Sequence, residues 1–384
     1  MALTSPGVIF IALLFALPIV LFLFRSVDNS ELRNFLPRTL ERIGTWDGKG
    51  VPDRPVFDAL AMDLRALGDT PSVGLLARRL NYAQPGYRAL IGKTARGLPE
   101  TSTPDMKAAL IDLDARWGQT GTWAILQQQS GRLTSFYLLS ALDLERDAEG
   151  VIHRVPADRA LFLDLYGRTL MISLGVTLLC LAIGFPVAWV MARAKPAAAT
   201  WLLMLVLVPF WTSLLVRSTA WVILLQREGV VNKTLAWLHL IDHPLSLIYD
   251  RTGVFIAMVH ILLPYMILPL YSVMKGISPV HLRAAGSLGA APFTAFRTVY
   301  LPLTAPGIAA GSTLVFVLAL GFYITPALVG GPADQMIGYF IAYFTNSAVN
   351  WGLASALGVF LMLLIVLIYI AVGRLVGLDR LRVR

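Results

Sequence analysis

Apolar residues in this chain come in long blocks rather than in the short alternations of a strand or the single stripe of a surface helix. A bilayer core about 30 Å thick asks for roughly 20 consecutive apolar residues per helical crossing. Six such blocks occur, near Gly7 to Phe24, Thr169 to Met191, Trp201 to Leu225, Gly253 to Met274, Gly307 to Val329 and Trp351 to Val372. The pattern predicts an all-α integral membrane protein with six transmembrane helices. No basic residue precedes the first block and no small-x-small site follows it, which predicts an uncleaved anchor over 1–25 rather than a signal peptide.

Between the first two blocks the pattern changes. Val56, Leu60, Met62, Leu64 and Leu67 recur at helical spacing, and Met106 to Trp117, with Pro104 near its start, reads as a second amphipathic helix. Leu133 to Leu144 is rich in aromatic and apolar residues, and the turn residues Asp147 to Gly150 precede a short run from Val151 to Val155. Residues 26–166 are therefore expected to form a soluble, mostly helical insertion with one hairpin, long enough for a small domain. The remainder, 167–384, forms a five-helix core.

Composition agrees with this plan. Hydrophobic residues make up 57% of the chain and charged ones only 14%, with a mean hydropathy of +0.68, outside the range of soluble globular domains. A net charge of +9 raises the question of nucleic acid, but residues 26–166 hold 17 Lys or Arg against 18 Asp or Glu. The excess sits in the loops around the spans, where it is a topology signal and implies no nucleic-acid partner. Arg193, Lys195, Lys275, Arg283, Arg297, Arg374, Arg380, Arg382 and Arg384 fall on one side, and only Arg227, Lys233 and Arg251 on the other. The first set marks the cytoplasm, so both termini are expected inside and the insertion in the periplasm of a bacterial inner membrane. Arg25 and Arg168 run against this scheme.

The chain has no Gly-rich nucleotide loop, no H-E-x-x-H and no G-x-S-x-G. No catalytic residue, metal or bound cofactor is expected here, and any ATP hydrolysis belongs to another polypeptide. Cys180, the single cysteine, reads as a packed thiol, and His153 as a surface residue. Inside spans two to six only Arg217 and His260 are ionisable, too few for the relay of a self-powered carrier. Pro186, Pro209, Pro264, Pro269 and Pro326 interrupt backbone hydrogen bonding within the spans. Polar or aromatic residues flank three of them: Trp211, Thr212 and Ser213 after Pro209, Tyr265 after Pro264, and Phe322, Tyr323 and Thr325 before Pro326. Together with Arg217 these are the candidate substrate path, although helix packing or an interfacial position suits each taken singly.

The loop 278–306, between spans four and five, is the most informative stretch. Ser278 suits a helix N-cap and Pro279 the first helical position, so a short helix is expected to Leu288, closed by Gly289 in the left-handed conformation. Pro292 suits the start of a second helix to Tyr300, and Leu301-Pro302 a break before span five. Leu282, Ala285, Leu288, Phe293 and Phe296 form an apolar face, with Arg283 and Arg297 on the polar one. Such a loop lies against its own protein or docks in a partner's groove.

Ala284-Ala285, Gly289 and Val299-Tyr300-Leu301-Pro302 resemble the pattern E-A-A-x-x-x-G-x9-I-x-L-P of the coupling loop in membrane subunits of ABC importers. Arg283 stands where that pattern has Glu, and Val299 where it often has Ile. The stretches Pro209 to Trp221, Gly229 to Asn232, Ile324 to Pro332 and Met336 to Gly338 resemble the spermidine/putrescine-type permeases, a subfamily that includes carriers of opines and other amino compounds. Phe136 to Gly150 is also similar to members with a long first periplasmic loop. The resemblance implies the type I importer permease fold, with the coupling loop carried by Arg283, Ala284, Ala285, Gly289, Phe293, Val299, Leu301 and Pro302. It also implies partners: a second homologous permease, two copies of an ATPase subunit that hold ATP-Mg, and a periplasmic binding protein. A small organic cation is the expected substrate, with an opine or other amino acid derivative as the alternative and a secondary carrier as a further one.

Overall fold

A computed structural model describes residues 5–68, 71–99 and 105–375. Arg380, Arg382 and Arg384 of the cytoplasmic set, and Pro104, lie outside the described residues. The chain divides into two compact units, Met1–Leu163 with Tyr343–Phe360, and Asp164–Ala342 with Leu361–Arg384.

The first unit opens on an apolar helix whose successive pieces are Ser5–Ile11, a π-helical turn Ala12–Ala16, and Leu17–Phe24. A set of short helices follows, including Arg54–Leu67, Pro71–Ala83, Tyr87–Gly97 and Thr120–Gln128. Their core is mostly aliphatic, with an aromatic cluster within it. Trp117 and Trp123 are fully buried, with ring centroids 5.0 Å apart, and Phe57 lies 4.6 Å from Trp123. Both indoles are satisfied, Trp117 Nε1 donating to Thr94 Oγ1 and Trp123 Nε1 to the Trp117 carbonyl, each at 2.8 Å.

On Arg54–Leu67 the residues Val56, Leu60 and Leu64 are buried as expected, but Met62 points outward, two places off that face. The expected helix from Met106 to Trp117 ends at Leu113. Asp114 turns extended and its carboxylate accepts from the Arg116 backbone N–H, starting a separate 3₁₀ turn, Ala115–Gly118. The hairpin forms where expected, Leu144–Arg146 pairing antiparallel with Ile152–Arg154. Just before it, Asp143 caps the next long helix by accepting from the backbone N–H groups of Leu161, Phe162 and Leu163.

Tyr343–Phe360 joins this unit through several contacts, two of them specific in geometry. The side chain of Ser355 donates to the Phe22 carbonyl, and Gly352 leaves room for the Tyr137 ring, which a Cβ at that position would strike.

The second unit is built from long apolar helices, one of which, Trp351–Ala371, begins in the first unit. Among the described residues, Phe162–Arg193, Arg251–Gly276, Pro292–Leu320 and Trp351–Ala371 are long and apolar enough to cross a bilayer, and a bent pair adds a fifth when counted as one span. Pro186, Pro264 and Pro269 remain inside unbroken helices. Cys180 is buried, its thiol facing the Val259 carbonyl at 3.7 Å.

Two expectations about the spans are corrected. The third block does not form one straight helix: Pro196–Trp211 and Leu214–Leu224 meet at 96°. Pro209 lacks a backbone donor, and Ser213, in extended geometry, restarts the chain as an N-cap that accepts from Val216 N–H. The fifth block is offset toward the N-terminus. Its helix stops at Leu320, and a short one, Ile324–Val329, begins so that Pro326 falls in a first turn, where a missing N–H is harmless.

Candidate coupling segment and substrate path

The segment before span five is a helix, a bend and a second helix. Ser278 Oγ accepts from Val280 N–H and opens the helix Pro279–Ser287, one residue short of the expected end. Gly289 closes it at φ +85°, with its N–H on the Gly286 carbonyl at 2.9 Å and the Ala290 N–H on the Ala285 carbonyl at 3.0 Å. The break expected at Leu301-Pro302 is absent. Pro292–Ala295 runs through a π-helical turn, Phe296–Tyr300, into Leu301–Leu320. The wider turn, with Leu301 N–H reaching back to the Phe296 carbonyl, takes up the register change that the donorless Pro302 imposes.

One side of this segment is anchored and the other is bare. Ala295 and Tyr300 are buried, and Tyr300 stacks on Phe296, which meets Phe185 of the second span edge-on. Arg193 lies 4.0 Å over the Trp189 ring and 5.2 Å from the Tyr300 ring. Such cation–π contacts are each worth about 0.5–1 kcal/mol when exposed. Against this anchorage, Leu288 is 90% exposed and Phe293 74% exposed, while Arg283 and Ala284 are exposed and Ala285, Val299 and Leu301 half-buried. Among the described residues, nothing covers these two large apolar side chains at the bend.

The eight candidate path residues do not form one site. Thr212 and Ser213 serve their own helix ends, Thr212 Oγ1 donating to the Pro209 carbonyl at 3.0 Å. Tyr265 packs on Phe210 at 5.0 Å, and Phe322 lies against the apolar core of the unit. Thr325 is buried and shares a 2.8 Å hydrogen bond with Ser218. Trp211, 79% exposed, and Tyr323 face outward. Arg217 keeps a buried Nε with no hydrogen-bond partner.

A different pair lines a groove of this unit. Trp221 Nε1 donates to His260 Nδ1 at 3.1 Å, on the wall of a groove of about 750 Å³ that also meets Leu179, Ile183, Phe255 and Val259. Arg168, which ran against the charge rule, donates to the Gln335 carbonyl at 3.3 Å.

Residues 171–377 match the family described as binding-protein-dependent transport system inner membrane component. This chain belongs to that family. The permease is 36% identical over 220 residues to the spermidine/putrescine transport system permease protein PotB of Salmonella typhimurium strain SL1344, an alignment covering 56% of this chain and 77% of that protein. It is 37% identical over 245 residues to the inner membrane ABC transporter permease protein YdcU of Escherichia coli K12, covering 58% and 76%. A solved bacterial ABC transporter involved in the import of the acidic polysaccharide alginate aligns at 19% identity with a TM-score of 0.44, over 58% of this permease and 80% of that chain.

Proposed function

We infer that this permease passes a small organic cation of the spermidine or putrescine type across the inner membrane by alternating access, driven by ATP on separate subunits. The supporting observation is the bare apolar bend, Leu288 and Phe293, on a segment continuous with a membrane-crossing helix. A groove on an ATPase subunit that received this bend would move span five directly, because Phe293 sits on the helical run that continues unbroken into it. Two ATPase copies holding ATP-Mg, a second homologous permease and a periplasmic binding protein complete the assembly. The chain itself binds no cofactor. The polyamine assignment rests on relatives such as PotB, and exposed Trp211 and Tyr323 offer ring faces to an ammonium group.

In this reading the permease has six spans, counting Ile9–Phe24 and the bent pair, and both termini are cytoplasmic. Residues 26–166 then lie in the periplasm as an accessory surface for the binding protein. A cysteine placed at exposed Lys93 reacts with a membrane-impermeant thiol reagent in intact spheroplasts, against a background of one buried native thiol. Labelling only after lysis overturns the topology. Asp69, an equivalent position by sequence, lies outside the described residues.

The unpartnered Nε of Arg217 favours a second reading, an opine or another amino acid derivative whose carboxylate pairs with it. The decisive measurement is ATPase stimulation of the reconstituted transporter with its cognate binding protein. Spermidine or putrescine stimulates, and Arg217→Gln leaves that stimulation largely intact. Stimulation by an opine but by neither polyamine overturns the cationic reading.

A further inference from the structure

In the second unit, residues 226–250 join the short helix Leu214–Leu224 to the long apolar helix Arg251–Gly276, and the connection is tied down at both ends. Its helix, Val230–Trp237, turns Val231, Asn232 and Leu235 toward the protein. Asn232 is buried and latches the return leg: Nδ2 donates to the Gln226 and Leu245 carbonyls at 3.1 Å each, and Oδ1 accepts from Leu245 N–H at 2.9 Å. Further on, Tyr249 N–H reaches the Val329 carbonyl at 2.7 Å and Arg251 pairs with Asp334 at 3.0 Å.

This well-bonded frame presents a bare apolar tip. Trp237 is 76% exposed and Leu240 67% exposed, with Leu238 exposed between them. The turn that holds them is specific. His239 takes φ +55°, its N–H meets the Ala236 carbonyl at 3.0 Å, and Leu240 N–H meets the Leu235 carbonyl at 3.0 Å. Val216, Ile223 and Val230 are exposed too, so uncovered apolar surface continues from the bent apolar pair into the tip. Lys233 lies one turn before Trp237 on the same helix face, is exposed, and makes no ion pair with any described residue.

We propose that this tip is an interfacial anchor, with Trp237, Leu238 and Leu240 seated at the boundary between headgroups and acyl chains and Lys233 on a lipid phosphate. An indole beside a lysine suits that boundary, since the ring body is apolar while the ammonium reaches outward to the phosphates. The reach also fits. Eight residues of helix extend about 12 Å, and the stretch leaves from and returns to the ends of apolar helices, so a helix lying along the bilayer surface keeps the tip in lipid. The anchor does not depend on which substrate the permease carries.

The test places a single spin label at Leu240→Cys in the assembled transporter, reconstituted in liposomes of phosphatidylethanolamine and phosphatidylglycerol. Native Cys180 is buried and does not compete for the label. Collisions with oxygen, which concentrates in lipid, are expected to exceed those with a water-soluble nickel chelate several-fold, whereas a label at exposed Lys49 in the first unit shows the reverse. Lys233→Glu, which repels phosphatidylglycerol, is expected to lower the oxygen preference at Leu240 at least twofold. A nickel preference at Leu240, protection from both reagents with or without added binding protein, as a protein partner would give, or an unchanged ratio in Lys233→Glu each overturns the proposal. The unaltered Lys233 background decides between lipid, water and protein even if that variant does not fold.

Discussion

At Gly289 a backbone angle of φ +85° carries the turn of the proposed coupling segment, while no atom of another residue lies within 4 Å of the place a Cβ would take. Gly289→Val is therefore a test of backbone geometry alone, undisturbed by any clash. The left-handed conformation costs a residue with a Cβ about 1–2 kcal/mol, enough to repopulate the bend. The expected outcome is a permease that inserts and assembles but shows substrate-stimulated ATPase reduced several-fold; normal transport removes the main support for this segment as the ATPase contact. Gly352 is the opposite case, a glycine needed for space beside the Tyr137 ring, and Gly352→Val is expected to destabilise the first unit by about 1–3 kcal/mol in a denaturant melt. Gly289 was legible in the sequence because a helix C-terminus asks for such a residue locally. Gly352 was not, because its neighbour Tyr137 comes from a distant stretch of the chain that no periodicity links to it.

Among the elements, the π-helical turn Phe296–Tyr300 and the bend at Pro209 to Ser213 set the directions of the apolar helices on either side of them. Replacing Pro302 by Ala restores the missing donor and removes the reason for the wide turn. Reversion to α-helix removes one residue from the register and rotates the bend carrying Leu288 and Phe293 by about 100° relative to span five. Spin-label distances from Phe293 to the span are expected to change, with loss of transport at retained basal ATPase; unchanged distances dismiss this account of the turn. The existence of these helices followed from block length and caps. Their breaks did not, because a proline shows where a donor is missing without showing whether the chain absorbs the loss by bending, as at Pro209, or by widening, as before Pro302. The candidate path dispersed for a related reason: Thr212 and Ser213 have short polar side chains that bond their own backbone as readily as a ligand.

For the whole molecule, the insertion stands on electrostatics that can be titrated. Bidentate hydrogen bonds from Arg116 hold the Asp114 carboxyl down to about 2, below its usual 3.8. A carboxylate with a depressed value stabilises the fold above its unfolded value and ceases to do so as pH falls through the folded one. The Trp117 and Trp123 signal is therefore expected to report weakening between about pH 4 and pH 2, and Asp114→Asn to be less stable at neutral pH with a shallower acid limb. An acid limb identical in the variant discards the assignment. Hydropathy made the long apolar helices legible, but the membership of Tyr343–Phe360 in the first unit was not, since its apolar block looks like any other. That membership has a consequence for biosynthesis. A ribosome adding about 5–20 residues per second delivers Leu163 on the order of ten seconds or more before Tyr343 emerges. Throughout that interval Tyr137 waits without Gly352, and Phe22 without Ser355, so the first domain to leave the ribosome is among the last to be finished.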